Sequence, residues 1–134
     1  MTQNGWILLS VFGLILGSVG GLGTELLDRF TGRSLEAFCR LKHRRERFGA
    51  VLDGHEVALT ASEYLRVIGT VLFLVAGTAT IFTDPVQPSG TRLIAWGICA
   101  GGMMMFTHMW LPSAVTKYAS APVLFYTWPF WRAL

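Results

Sequence analysis

Three stretches of this chain carry no charged side chain, and each is close to the length of a bilayer crossing: residues 5–24, 67–82 and 93–111. A helix needs about 20 apolar residues to cross a hydrocarbon core of about 30 Å at 1.5 Å per residue. Backbone polar groups in lipid must be satisfied within the segment, so such runs fold as helices. The first run follows Met1-Thr2-Gln3-Asn4, which has no positive charge. It is therefore read as a retained helix and not as a cleaved signal. The composition agrees with membrane residence. Only 14% of the 134 residues are charged and 52% are hydrophobic. A soluble domain carries about 25% charged residues.

The expected spans are about 5–24, 62–83 and 93–111. Thr60-Ala61-Ser62-Glu63 has the form of a capping box ahead of an apolar run, which predicts a helix start near Thr60. Glu63 and Arg66 fall in its first turns. Their spacing permits a local ion pair, and Arg66 is long enough to snorkel toward the headgroups. The segment 84–90 holds two prolines and a glycine and reads as a turn. Pro112 is expected to end or kink the third span.

The rest of the chain is basic or aromatic. Arg29, Arg33, Arg40, Lys42, Arg44, Arg45 and Arg47 all lie in the loop 25–61. Ser34 is placed to cap a helix starting at Leu35. Leu35, Phe38 and Leu41 recur at helical spacing among the cations, as in a helix lying on a membrane surface. The tail 113–134 crowds Phe125, Tyr126, Trp128, Phe130 and Trp131 together and is interrupted by Pro122 and Pro129. Aromatic residues of this kind favour the water–lipid interface, so an interfacial helix is expected there and not a fourth span. The seven-cation loop should face the cytoplasm. That places the N-terminus outside and the C-terminus inside, in a plasma (inner) membrane. The fold class is all-α: three transmembrane helices, a cytoplasmic amphipathic hairpin and a C-terminal belt-like helix, in one domain spanning 1–134. The formal charge of +3 is accounted for by the loop, and no nucleic-acid partner is expected beyond the lipid bilayer itself.

Few residues invite chemistry. Ser10, Gly13, Gly17 and Gly21 put small residues three or four apart along span one, with Gly13/Gly17 and Gly17/Gly21 as overlapping GxxxG pairs, which lets helix backbones approach closely. They serve as packing within the bundle or as a homodimer face. Gly20, Gly21 and Gly23 also allow local unwinding that bares carbonyl oxygens. Glu25 is either a solvated helix end or an acid facing a cavity. His108 is more readily a hydrogen-bonding bundle residue than a metal ligand. Met103, Met104, Met105 and Met109 point around the helix and do not converge on a soft metal ion. Cys39 and Cys99 form no CxxC motif. No nucleophile is placed with a base, and no HExxH motif or paired carboxylates occur. The chain is not expected to be an enzyme or to hold a cofactor.

The order of parts resembles the membrane domain of the CorC and cyclin M (hemolysin-like) family. Thr24-Glu25-Leu26-Leu27 through Arg33-Ser34-Leu35-Glu36 is similar to that family's "SETAL…SRSRLEE" exit from span one, about one residue short. Leu111-Pro112 followed by Lys117-Tyr118-Ala119 resembles its "E-I-L-P-K" segment, and Pro122 with the ending Pro129-Phe130-Trp131-Arg132-Ala133-Leu134 resembles its belt helix. The resemblance implies a homodimeric Mg2+ transport domain with Mg2+ as transported ion. Its ligands here would be Ser18, Glu25 and Thr70 with carbonyls at Gly20 and Gly21. The departures fall on that site. The family's Gly-Asn-Asn element meets Ile68-Gly69-Thr70, its acid before Leu-Pro meets Met109, and its lysine after Pro meets Ser113. Mg2+ demands hard oxygen ligands in octahedral order. The alternative is a membrane anchor or assembly subunit that kept the bundle and lost the ion site. In the family a pair of CBS nucleotide-binding domains follows the belt. The 134 residues here do not include it, as expected of a fragment or a short relative.

Overall fold

The computed structural model describes residues 2–83 and 89–134, all helix, turn or short connection. The first five residues of the expected turn, 84–88, lie outside the described residues. Helix α1 spans Gln3–Arg29, α2 Gly32–Leu41 and α3 Arg45–Phe82. Helix α4 covers Gly90–Met105 and passes through a π-helical turn, Phe106–Trp110, into α5, Leu111–Ala133. Three helical stretches are long and apolar enough to cross a membrane: Gln3–Arg29, Arg45–Phe82 and Gly90–Ala133. The fold is that of an integral membrane protein.

The seam between α1 and α3 is made by glycine. A Cβ on Gly69 would strike the backbone of Gly17, and one on Gly20 would strike the backbone of Arg66. A Cβ on Gly13 would lie 2.6 Å from the Phe73 amide nitrogen. Ser10 donates to the Phe73 carbonyl across the same seam at 3.2 Å. Thr24 meets Ser62 near the other end at 3.1 Å, so α1 and α3 run antiparallel. Ser10, Gly13, Gly17 and Gly21 all lie on the buried side of α1. Helices in lipid gain little from apolar burial alone. Close backbone approach supplies the dispersion contact that replaces it.

Aromatic rings fill two further glycine notches. Trp96 of α4 lies over Gly77, and Trp131 of α5 lies over Gly23. Trp131, Trp128, Phe125 and Leu124 bury against Leu27, Leu35, Cys39, Val51 and Ala58. This second core ties the end of α1, the short α2 and the first half of α3 to the tail. Arg47 secures it by donating to the Phe125 carbonyl at 3.0 Å and lying 4.6 Å over the Phe125 ring.

Several local signals are overridden by this packing. The helix expected from Thr60 begins at Arg45 and runs through without a break. Thr60 donates back to Glu56 O at 2.9 Å inside the helix and caps nothing. Val51 and Ala58 are buried in the second core, so tertiary contact holds residues 45–59 helical whatever a capping motif signals. Ser34 likewise lies within the first turn of α2, which starts at Gly32, and it donates to Thr31 O at 2.8 Å. The pairing expected for Glu63 and Arg66 is not among the ion pairs of the described residues, which are Arg29–Glu25 and Arg40–Glu36, both four apart. Pro112 does not end the third helix. It sits in the first turn of α5, directly after the π-turn, where its missing N–H costs least. The break falls at Ala119 (φ −144°, ψ 26°), three residues before Pro122, where the proline ring crowds the preceding turn.

Candidate functional site

The polar groups of the span region gather where α1, α3 and the π-turn meet. Gly17 and Gly21 present a flat surface on α1, and His108 lies against both. Its Nε2 is 3.4 Å from the Cβ position of Gly17, and its Cδ2 is 3.9 Å from that of Gly21. The π-turn carries His108 there by adding one residue to the helical repeat, which rotates the ring toward α1. Such turns recur at functional positions in helices.

Hydrogen bonds engage both ring nitrogens. Thr107 Oγ1 donates to the Met103 carbonyl at 2.9 Å, so it is free to accept from His108 Nδ1, also at 2.9 Å. That assigns the proton to Nδ1 and leaves Nε2 to accept from Thr70 Oγ1 at 3.0 Å. The chain Thr70 to His108 to Thr107 to Met103 is thus satisfied with a neutral imidazole. It links α3 to the π-turn across the bundle.

Arg66 lies beside this chain. Its Cδ is 3.8 Å from the Cβ position of Gly21, next to the His108 ring. Its level on α3 is that of Gly20, whose Cβ position falls on its backbone. Glu25 is five residues further along α1, about 7.5 Å at the helical rise. The Arg66 side chain is half-buried. Among the described residues Arg66 has no ion pair and its side chain no hydrogen-bond partner.

The residues picked out from sequence as Mg2+ ligands are placed as follows. Ser18 donates to Leu14 O of its own helix at 2.6 Å. Gly20 O accepts from Thr24 Oγ1 at 3.0 Å. Gly21 faces the backbone and ring of His108. Thr70 is bonded to His108. Glu25 pairs with Arg29, whose Nε is 2.7 Å from Oε2. That contact is one of charge and not an aligned hydrogen bond, since Oε2 is buried with no donor directed at it. Thr70, Gly20 and Gly21 therefore share one neighbourhood. The Ser18 hydroxyl and the Glu25 carboxylate are each turned to a partner on α1 itself. Met109, at the position of the family's acid, is 59% exposed and faces outward. No group of three or more His, Cys, Asp or Glu that could hold a metal occurs among the described residues.

The juxtaposition of Arg66 and His108 was not readable from sequence. They lie 42 positions apart, and only the π-turn brings them together. The available signal was the pair Gly17 and Gly21, small residues facing a ring as well as a helix. Comparison of the chain with protein-family models, with curated proteins and with solved structures finds no match.

Proposed function

We propose that this chain is a membrane anchor or assembly module, built on the helical plan of the CorC and cyclin M membrane domains without their ion site. The observation that carries the reading is Arg66. Its side chain, with no ion pair among the described residues, lies against Gly21 beside the His108 that holds Thr70, in the neighbourhood from which a divalent ion would draw its oxygens. Two unit charges 4 Å apart interact by about 4 kcal/mol at an effective dielectric of 20, and a divalent ion doubles the repulsion. The hydroxyls are also held by bonds within the bundle, Ser18 donating to Leu14 O and Thr70 to His108, while Gly20 O accepts from Thr24. Mg2+ gives up its waters reluctantly, and no carboxylate among the described residues joins these oxygens to compensate.

In this reading α2 and the first half of α3 form the cytoplasmic hairpin, with the N-terminus outside, as the cation count around the turn at 42–45 supports. The end of α5 acts as the belt helix, its tryptophans closing over α1 and α3 at the interface. The unit assembles as a homodimer. The test is reconstitution into liposomes, with Mg2+ flux and Mg2+-dependent thermal stabilisation measured for wild type beside Glu25→Gln. No Mg2+ response in either protein is expected. A wild-type response abolished by Glu25→Gln would overturn the reading in favour of divalent-cation transport.

A further inference from the structure

We propose that Arg66 is the centre of a binding site for the phosphate of a phospholipid headgroup. The argument starts from the cost of a cation within a span. Intramembrane charges are retained where they face a partner or a cavity, and no residue of this chain that the structure describes supplies one. The nearest acids are accounted for. Glu25 is paired with Arg29, and Glu63, one turn before Arg66, is exposed and forms no ion pair with it. The other neighbouring side chains supply no counter-charge: Thr70, Thr107, Thr24 and Ser62 are neutral hydroxyls, and His108 is bonded between Thr70 and Thr107. With no counter-ion among the described residues, the site calls for one from outside the chain.

Depth and access select its chemistry. Arg66 is about five residues along the seam from the charged end of α1, and a guanidinium on a three-carbon stem spans most of that distance by snorkelling. It is half-buried and so open to the bilayer on one side. Tyr64, 65% exposed on the same helix, is a residue type that resides at headgroup level. The Arg66 stem rests in ordinary contact beside Gly21, its Cδ 3.8 Å from the Cβ position there, where α1 carries no side chain. The planar fork of arginine matches two phosphate oxygens at once, which an ammonium cannot do. A phosphodiester carried in the inner leaflet meets all of these conditions.

Native mass spectrometry and thermal unfolding of the delipidated protein test the proposal, with phosphatidylglycerol, diacylglycerol and inorganic phosphate as separate probes. Wild type is expected to retain phosphatidylglycerol and to unfold at higher temperature with it, and to respond neither to diacylglycerol, which lacks the phosphate, nor to inorganic phosphate. Arg66→Gln should weaken retention about tenfold, as loss of a charge-assisted bidentate contact does, and Arg66→Lys should fall between. Arg33→Gln, an exposed cation on α2, serves as the control for diffuse attraction and should bind as wild type. Equal binding by Arg66→Gln and wild type overturns the site, as does an equal loss in Arg33→Gln. Stabilisation by inorganic phosphate alone overturns the lipid source. A change of oligomeric mass in Arg66→Gln with lipid retention intact overturns it in favour of an acid from a second copy.

Discussion

Gly69→Ala offers a direct measurement of how closely α1 and α3 approach. The added methyl would lie 2.6 Å from Gly17 Cα and 2.8 Å from Gly13 O. An unstrained carbon contact is about 3.5 Å, so the two backbones would have to part by nearly an ångström along the middle of the seam. Both obstacles are main chain, and no side chain can turn aside to relieve them. Overpacking costs about 1–3 kcal/mol, and this site belongs at the upper end. Exchanging glycine for alanine within a helix returns about 1 kcal/mol. The net expectation is a loss of about 2 kcal/mol. Two sites on the facing helix calibrate it. At Gly17 the nearest atoms to a methyl are 3.3–3.4 Å away, and at Gly21 they are 3.7–3.9 Å away. Stability in detergent, followed by circular dichroism through thermal or denaturant unfolding, should therefore rank Gly21→Ala above Gly17→Ala above Gly69→Ala. Gly17→Leu should fall below Gly17→Ala. If Gly69→Ala is as stable as Gly21→Ala, the backbone contact does not exist and the packing argument fails with it.

His43 is the one non-glycine residue with positive φ among the described residues, at 54°. It occupies the left-handed position of a helix C-terminal motif in which Arg44 N bonds Cys39 O and His43 N bonds Arg40 O. His43→Gly should stabilise the protein by about 1 kcal/mol in denaturant unfolding, and a loss would show that the His43 side chain does something the turn needs. Burial holds the Cys39 thiol above its usual range, partly offset by the Arg47 charge. A raised folded-state pKa means the thiol's contribution is complete below the unfolded value, about 8.5, and is lost as pH rises through the folded value. Stability should therefore decline in alkaline buffer more steeply for wild type than for Cys39→Ala, and parallel curves would refute the burial argument. For topology, in a background lacking Cys39 and Cys99, Arg44→Cys and Arg47→Cys should react with an impermeant maleimide only from the cytoplasmic side of oriented vesicles, and Gln87→Cys only from the opposite side. Labelling of both from one side contradicts the three-span arrangement.

The three spans were legible because absence of charge over a bilayer's length is a global constraint that no local contact can reverse. The buried stripe of α1 was legible for a related reason: residues four apart share a face in any helix. Helix ends were not. The capping signals at Ser34 and Thr60 describe what an isolated segment would do, whereas residues 45–59 are held helical by Trp128, Phe125 and Leu124, more than 60 positions away in sequence. The π-turn left no mark in the sequence, because one inserted residue looks like any other until the ring of His108 is seen facing Gly17. At the candidate site, Thr70 and Gly21 were picked out as oxygen donors and both meet His108, but Arg66, whose stem lies against Gly21, was weighed only for its reach to the headgroups. Trp96 over Gly77 and Trp131 over Gly23 were equally hidden: Trp131 read as an interface anchor, and nothing near Trp96 in sequence points to Gly77.

The unbroken run of α3 has a mechanical consequence. Gly69, in close backbone contact with α1, divides the helix unequally: 24 residues reach back to Arg45 and 13 reach forward to Phe82. At the helical rise these are arms of about 36 and 20 Å. With no proline in either arm the helix is one continuous rod, and its longer arm is the one clamped to the tail through Val51, Ala58 and Arg47. Strain introduced at the glycine contact is therefore resisted at the basic end by a lever of almost twice the length.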